Sequence, residues 1–126
     1  MKILVVEDNS VTRQIVSLSL GAQGYQIVEA EDGRTAISKL IEHHPDLVIQ
    51  DLALPDIDGV TLAQTLHTLP GCEDIPIVAF SAFVDKLEEA RSSKGVFRAF
   101  IPKPIEPSRL AGLVKRLTET TASQAG

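Results

Sequence analysis

The sequence predicts an α/β fold: one doubly wound domain on a five-stranded parallel sheet, with helices on both faces. Two observations carry this prediction. Five short apolar runs recur along the chain, each followed by a stretch of helical periodicity. The first run, Ile3-Leu4-Val5-Val6, is unalternating and rich in β-branched residues, as suits a strand buried on both faces. Strand–helix alternation of this kind gives parallel pairing through right-handed crossovers. The chain has 126 residues, of which 44% are apolar, so a single domain can bury a real core.

Each element follows in order. After the first run, Asn9 or Ser10 can cap a helix that carries Val11, Ile15, Leu18 and Ala22 on one stripe, expected to face inward. Gly21 and Gly24 punctuate its end. Residues 26–30, QIVEA, alternate more and read as an edge strand. A helix over 34–43 sets Ala36, Ile37, Leu40 and Ile41 on one face, and Pro45 stops it. The third strand is expected over 46–50. The next helix, over 60–69, sets Leu62, Ala63, Leu66 and Leu69 inward. Residues 75–80 form the fourth strand, with Pro76 confined to its beginning because it has no N–H for the ladder. A helix over 84–94 is highly charged, with only Leu87 and Ala90 as clear inward residues, so it is expected to pack loosely. Residues 99–101 are a short fifth strand. Pro107 then opens a helix to Thr118 with Leu110, Leu113, Val114 and Leu117 on its apolar face. The domain is expected to span 1–118, with 119–126 as a small, polar tail or the start of a linker.

Composition excludes several function classes. The net charge of -5 argues against direct nucleic-acid binding, which needs a basic stripe. No stretch approaches the roughly 18 apolar residues of a membrane span, and the N-terminal apolar run is too short for a secretory signal. The single cysteine, Cys72, forbids an intrachain disulfide and lacks a nearby His, so it reads as chemically silent. The expected address is the cytoplasm.

In a parallel α/β sheet, ligand chemistry sits at the carboxyl ends of the strands. The first strand ends in Glu7-Asp8, the third in Asp51, the fourth in Ser81, and the fifth is followed by Lys103-Pro104. Alone, each has an ordinary reading: a solvated acid, a cap or a surface lysine. Together they place three carboxylates, a hydroxyl and an ammonium on one edge. Clustered carboxylates stay ionised together only beside a cation. All-oxygen donors without His or Cys favour a hard ion, Mg²⁺ or Mn²⁺. These are the parts of a phosphoryl-transfer site. Asp51 would be the nucleophile that forms an acyl phosphate, Lys103 would balance phosphoryl charge, and Ser81 would donate a hydrogen bond. Asp56 and Asp58 lie past Pro55 and read as solvated turn residues or a helix cap.

At this point the chain resembles the receiver domain of two-component response regulators. The resemblance rests on ILVVEDN, DLVIQDLALPDIDG, IPIVAFSA and AFIPKPI, in that order, over residues 2 to about 118. It implies a flavodoxin-like sheet with strand order 2-1-3-4-5. It implies that Asp51 is the phosphoacceptor, and that Glu7, Asp8, Asp51 and the backbone carbonyl of Ala53 hold the divalent ion. Ser81 matches the hydroxyl switch residue, Phe100 the aromatic switch residue and Lys103 the family's lysine, with a cis peptide to Pro104. Pro55 and Gly59 match the loop after the phosphoacceptor. The implied partners are a sensor histidine kinase or a histidine phosphotransfer protein. The implied output is a change at the fourth helix, fifth strand and fifth helix, read by an effector, and pairing into a homodimer is open. The resemblance implies a switch rather than a turnover enzyme.

Departures from the family pattern are specific. Glu7 stands where an Asp is common, Leu54 where a Met is frequent, and Phe100 lacks the hydroxyl of the common Tyr. Ala53 and Phe83 flank the path of an attacking water and cannot activate it, so autodephosphorylation is expected to be slow. Two other readings stay open: a degenerate receiver acting as an interaction module, and a flavodoxin-like ligand-binding protein or small enzyme. Against the latter, VEDNSVT carries acids where a bare phosphate site needs amides.

Overall fold

The computed structural model describes residues 1–93 and 95–125, with side chains described within 1–93 and 95–119. The order is β1 (Lys2–Val6), α1 (Ser10–Gly21), β2 (Gln26–Ala30), α2 (Gly33–His43), β3 (Leu47–Asp51), α3 (Gly59–Thr68), β4 (Ile77–Ser81), α4 (Val84–Arg91), β5 (Ala99–Pro102) and α5 (Pro107–Ala125). The five strands pair in parallel, as the alternating pattern predicts, in the order β2-β1-β3-β4-β5 that the family resemblance implies.

Side-chain alternation along the strands divides the core in two. Ile3, Val5, Ile49, Val78 and Phe80 face α1 and α5, meeting Val16, Leu20, Leu110 and Val114. Leu4, Val6, Val48 and Ala79 face α2, α3 and α4, meeting Ala36, Leu40, Leu62, Leu66, Leu87 and Ala90. The central strands β3 and β4 are buried along their whole length, which is why they read as unbroken apolar runs. Pro76 lies just before β4 and contributes its carbonyl to Val48 N at 3.0 Å, a role that needs no N–H.

Three helices start on side-chain caps. Asn9 accepts from Thr12 N at 3.0 Å, Asp32 from Thr35 N at 2.7 Å and Asp58 from Thr61 N at 3.1 Å. The fourth does not: Phe83 at the start of α4 makes no side-chain cap.

The inward stripe of α1 differs from the expectation. Val11, Ile15 and Leu18 are 65%, 45% and 66% exposed, Ala22 is exposed as well, and Val16 and Leu20 form the buried face. Both sets are legitimate helical stripes. Packing against the sheet and α5 selects the narrower one, because Val16 and Leu20 fit between Ile3, Leu47 and Val114. Ile41, expected inward on α2, is likewise 54% exposed. The fourth helix ends at Arg91, short of the expected 94; Lys94 lies outside the described residues. The fifth helix runs to Ala125, through most of the stretch read as a polar tail; Gly126 lies outside the described residues.

The loop between β3 and α3 is held by a close backbone approach. Gly59 N donates to Leu52 O at 3.2 Å, and a Cβ on Gly59 would lie 2.5 Å from Leu52 Cα and 2.9 Å from Leu52 O. The obstruction is backbone, which cannot swing aside. Gly59→Ala is therefore expected to cost about 1–3 kcal/mol of folding free energy, read as a lowered urea midpoint, although alanine is the better helix former.

Candidate functional site

The carboxyl ends of β1 and β3 are adjacent in the sheet, so Glu7, Asp8 and Asp51 converge there. One oxygen from each lies within 4.8 Å of the others. Glu7 is fully buried, Asp51 is 3% exposed, and Asp8 stands exposed at the mouth. Lys103, on the turn after β5, reaches across β4. Its Nζ donates to Glu7 Oε1 at 2.8 Å and to Asp51 Oδ2 at 3.0 Å. The same ammonium lies 4.9 Å from the centre of the Phe80 ring, whose π face favours a cation. The Lys103-Pro104 peptide is cis.

The remaining contacts at the site are backbone ones. Asp51 Oδ1 accepts from Ala53 N at 2.9 Å. Ser81 is fully buried at the end of β4, and its Oγ accepts from Phe83 N at 3.0 Å. Phe100 sits one strand further out, half-buried, with Phe97 edge-on at 5.9 Å and the Arg91 guanidinium 5.1 Å from its ring centre.

Electrostatics at this edge are unbalanced. Burial, reinforced by the neighbouring Asp51, pushes the Glu7 carboxyl up to about 8 despite the pull of Lys103. Burial alone would lower the Lys103 ammonium, but its bonds to Glu7 and Asp51 outweigh that and raise it. One lysine thus serves two buried carboxylates, with Asp8 a third beside them, and Glu7 Oε2 is buried without a hydrogen-bond partner. A hard divalent ion fits this donor set. It would meet oxygen donors, among them the otherwise unpaired Glu7 Oε2, and it would supply the missing positive charge.

Two further residues shape the site, and the sequence reading did not single out either role. Arg13 on α1 donates to the Glu7 carbonyl at 2.7 Å and to Glu29 on β2 at 2.9 Å, tying the acidic turn to the sheet edge. Its signal was an arginine one turn into the helix that follows two acids. Asp56 accepts from Gly33 N at 2.9 Å and Arg34 N at 3.0 Å, anchoring the loop after Asp51 to the start of α2. The bond from Gly33 N, with help from Arg34 N, holds its carboxyl below the ordinary value. Asp58, by contrast, is the cap of α3 already anticipated.

The sequence pattern of the response regulator receiver domain matches residues 3–115. The chain belongs to the response regulator receiver domain family. Such domains act as signalling switches in two-component systems and bind Mg²⁺ at an acidic pocket. This receiver domain is 32% identical over 113 residues to the polar-differentiation response regulator DivK of Brucella ovis, covering 90% of this chain and 92% of that one. It superposes on the chemotaxis response regulator CheY4 of Vibrio cholerae with a TM-score of 0.83 at 28% identity, over 91% of this chain and 96% of that one. The signal receiver domain of a histidine kinase from Syntrophus aciditrophicus gives 0.83 at 33% identity, over 94% and 90%. No helix among the described residues of the receiver domain is long and apolar enough to cross a membrane.

The raised Glu7 carboxyl sets a pH dependence. The folded receiver domain binds this proton more tightly than the unfolded chain, whose glutamate titrates near 4.5. Its stabilising contribution is complete below that value and is lost as pH rises through about 8. In chelator, the thermal midpoint should fall between about pH 5 and 9. Glu7→Gln should flatten that slope, and a slope identical to wild type would count against this account of Glu7.

Proposed function

We propose that this receiver domain is a phosphorylation-controlled switch in which Asp51 accepts a phosphoryl group from a phosphohistidine. The observation that carries the reading is the sharing of one lysine by buried Glu7 and Asp51 at the carboxyl edge of the sheet. An Asp51 carboxylate oxygen attacks phosphorus, the P–N bond to the donor imidazole breaks, and the imidazole nitrogen keeps the electron pair and takes a proton from solvent. Glu7, Asp8, Asp51 and the Ala53 carbonyl would hold Mg²⁺, or Mn²⁺, which when bound neutralises charge on the phosphoryl oxygens. Lys103 stands within reach of the same oxygens. Its present partners, Glu7 and Asp51 itself, support that role. Ser81 has a hydroxyl proton to offer a phosphoryl oxygen, and Phe100 follows its movement, altering the face formed by α4, β5 and α5. An effector reads that face. The unit is residues 1–118, with 119–126 as tail or start of a linker, and the compartment is the cytoplasm.

Incubation with Mg²⁺ and acetyl phosphate, followed by intact mass measurement, tests the reading. One phosphoryl group should be gained by the wild type and by no Asp51→Asn protein. No gain in the wild type would favour an interaction module instead. Once formed, the acyl phosphate should persist well beyond seconds, because Ala53 and Phe83 offer an incoming water no polar group.

The exposed stripe of α1 supports a place for the donor. Val11 and Leu18 flank Ile15, which lines a groove of about 290 Å³ with Ala82, Pro104, Ile105 and Lys103, beside the phosphoacceptor. Leu18→Glu should slow transfer from a phosphorylated histidine phosphotransfer protein about tenfold, as loss of an apolar anchor does. Labelling by acetyl phosphate should stay unchanged. Equal loss with both donors would sink the docking role.

A further inference from the structure

Among the described residues, the buried polar or charged ones are Glu7, Gln50, Asp51 and Ser81. Three belong to the acidic edge and its hydroxyl. Gln50 does not. It precedes Asp51 on β3 and by strand alternation points to the opposite face, towards α3. Its Nε2 donates to Gly59 O at 2.6 Å, while its Oε1 has no hydrogen-bond partner. The reverse amide orientation would set two carbonyl-type oxygens against each other.

A buried, unpaired acceptor opposes stability. Nor does Gly59 O need the amide, because it is the first carbonyl of α3 and the helical ladder supplies it a partner. What the bond achieves is geometric. Gly59 is held by its N–H to Leu52 and by its C=O to Gln50, so the far end of the 52–59 loop closes on its own start and on β3. Within that loop Ala53 bridges to Asp58 and donates to Asp51 Oδ1.

We propose that Gln50 is a positioning residue for the phosphoacceptor site: by clamping Gly59 it fixes the loop that presents the Ala53 backbone to Asp51 and its cation. The inference rests on reading Asp51 and its acidic neighbours as a metal-assisted phosphoacceptor site. It predicts that Gln50 can be replaced without loss of stability yet with loss of site geometry.

The test uses Gln50→Met, which keeps length and bulk, and Gln50→Leu as a second variant. Thermal midpoints should equal or exceed wild type. In metal-free protein the Gly59 amide should exchange about tenfold faster, and Mn²⁺ affinity followed by electron paramagnetic resonance should fall about tenfold, the size of effect typical of outer-shell partners. Leu40→Ala, a core change in α2 away from the site, serves as the stability control. Unchanged Mn²⁺ affinity and Gly59 exchange in folded Gln50→Met would overturn the proposal. So would an affinity loss that Leu40→Ala reproduces. If wild type neither binds Mn²⁺ nor accepts a phosphoryl group, the site reading itself fails, while the exchange comparison still decides whether Gln50 clamps the loop.

Discussion

One ammonium between two buried carboxylates is the constraint on which the rest of this structure depends. Lys103 meets Glu7 and Asp51 at 2.8 and 3.0 Å, and no other cation serves them among the described residues. Two anions for one cation is not a stable arrangement in a desolvated place, and the raised Glu7 carboxyl records the imbalance. The fold tolerates it because the site lies at a sheet edge with Asp8 open to solvent, where a further positive charge can enter. Bringing Lys103 there takes the parallel order in which β4 separates β3 from β5, since the lysine must cross one strand to reach Asp51. Topology and charge are thus a single requirement.

The loops around this edge are held by carboxylates that take no part in it. Asp56 ties the loop after Asp51 to α2, Asp58 caps α3, and Asp32 caps α2. Each places an anion against a helix N-terminus, where the backbone N–H groups and the helix dipole favour it. The DLALPDIDG stretch therefore divides its labour by distance from the sheet. Asp51 belongs to the buried strand, and the two later aspartates belong to the scaffold that keeps its surroundings in place.

The sheet was legible in the sequence because the central strands are buried on both faces and leave continuous apolar runs. The site was legible because strand ends in such a sheet share one edge, so Glu7, Asp8, Asp51, Ser81 and Lys103 could be gathered from linear position alone. What failed was rotation. Val11, Ile15 and Leu18 form as regular a stripe as Val16 and Leu20, and periodicity carries no information on which stripe meets the sheet. Asp56 escaped because its partners lie 22 and 23 residues away, on an element that no local rule connects to it. Gln50 was hidden by its company, as an amide inside an apolar run reads as a minor flaw until its partner is seen.

The shortest helix, α4, adjoins the site through a polar link at its start. Helix α4 has eight residues, buries Leu87 and Ala90, and begins without a side-chain cap. Its start is tied to β4 by Ser81 Oγ, which accepts from Phe83 N. Under the proposed function, a phosphoryl oxygen on Asp51 would draw the proton of the Ser81 hydroxyl, which is free to be donated while its oxygen accepts from Phe83 N. If Ser81 turns to meet it, the Phe83 amide loses its acceptor at an N-terminus that has no substitute. The outer end of the helix is held by Arg91 over Phe100, on the strand next to Ser81. Both ends of α4 are therefore fastened to residues on β4 and β5, close to where a charge on Asp51 is felt, and the helix has little buried area of its own to resist the change.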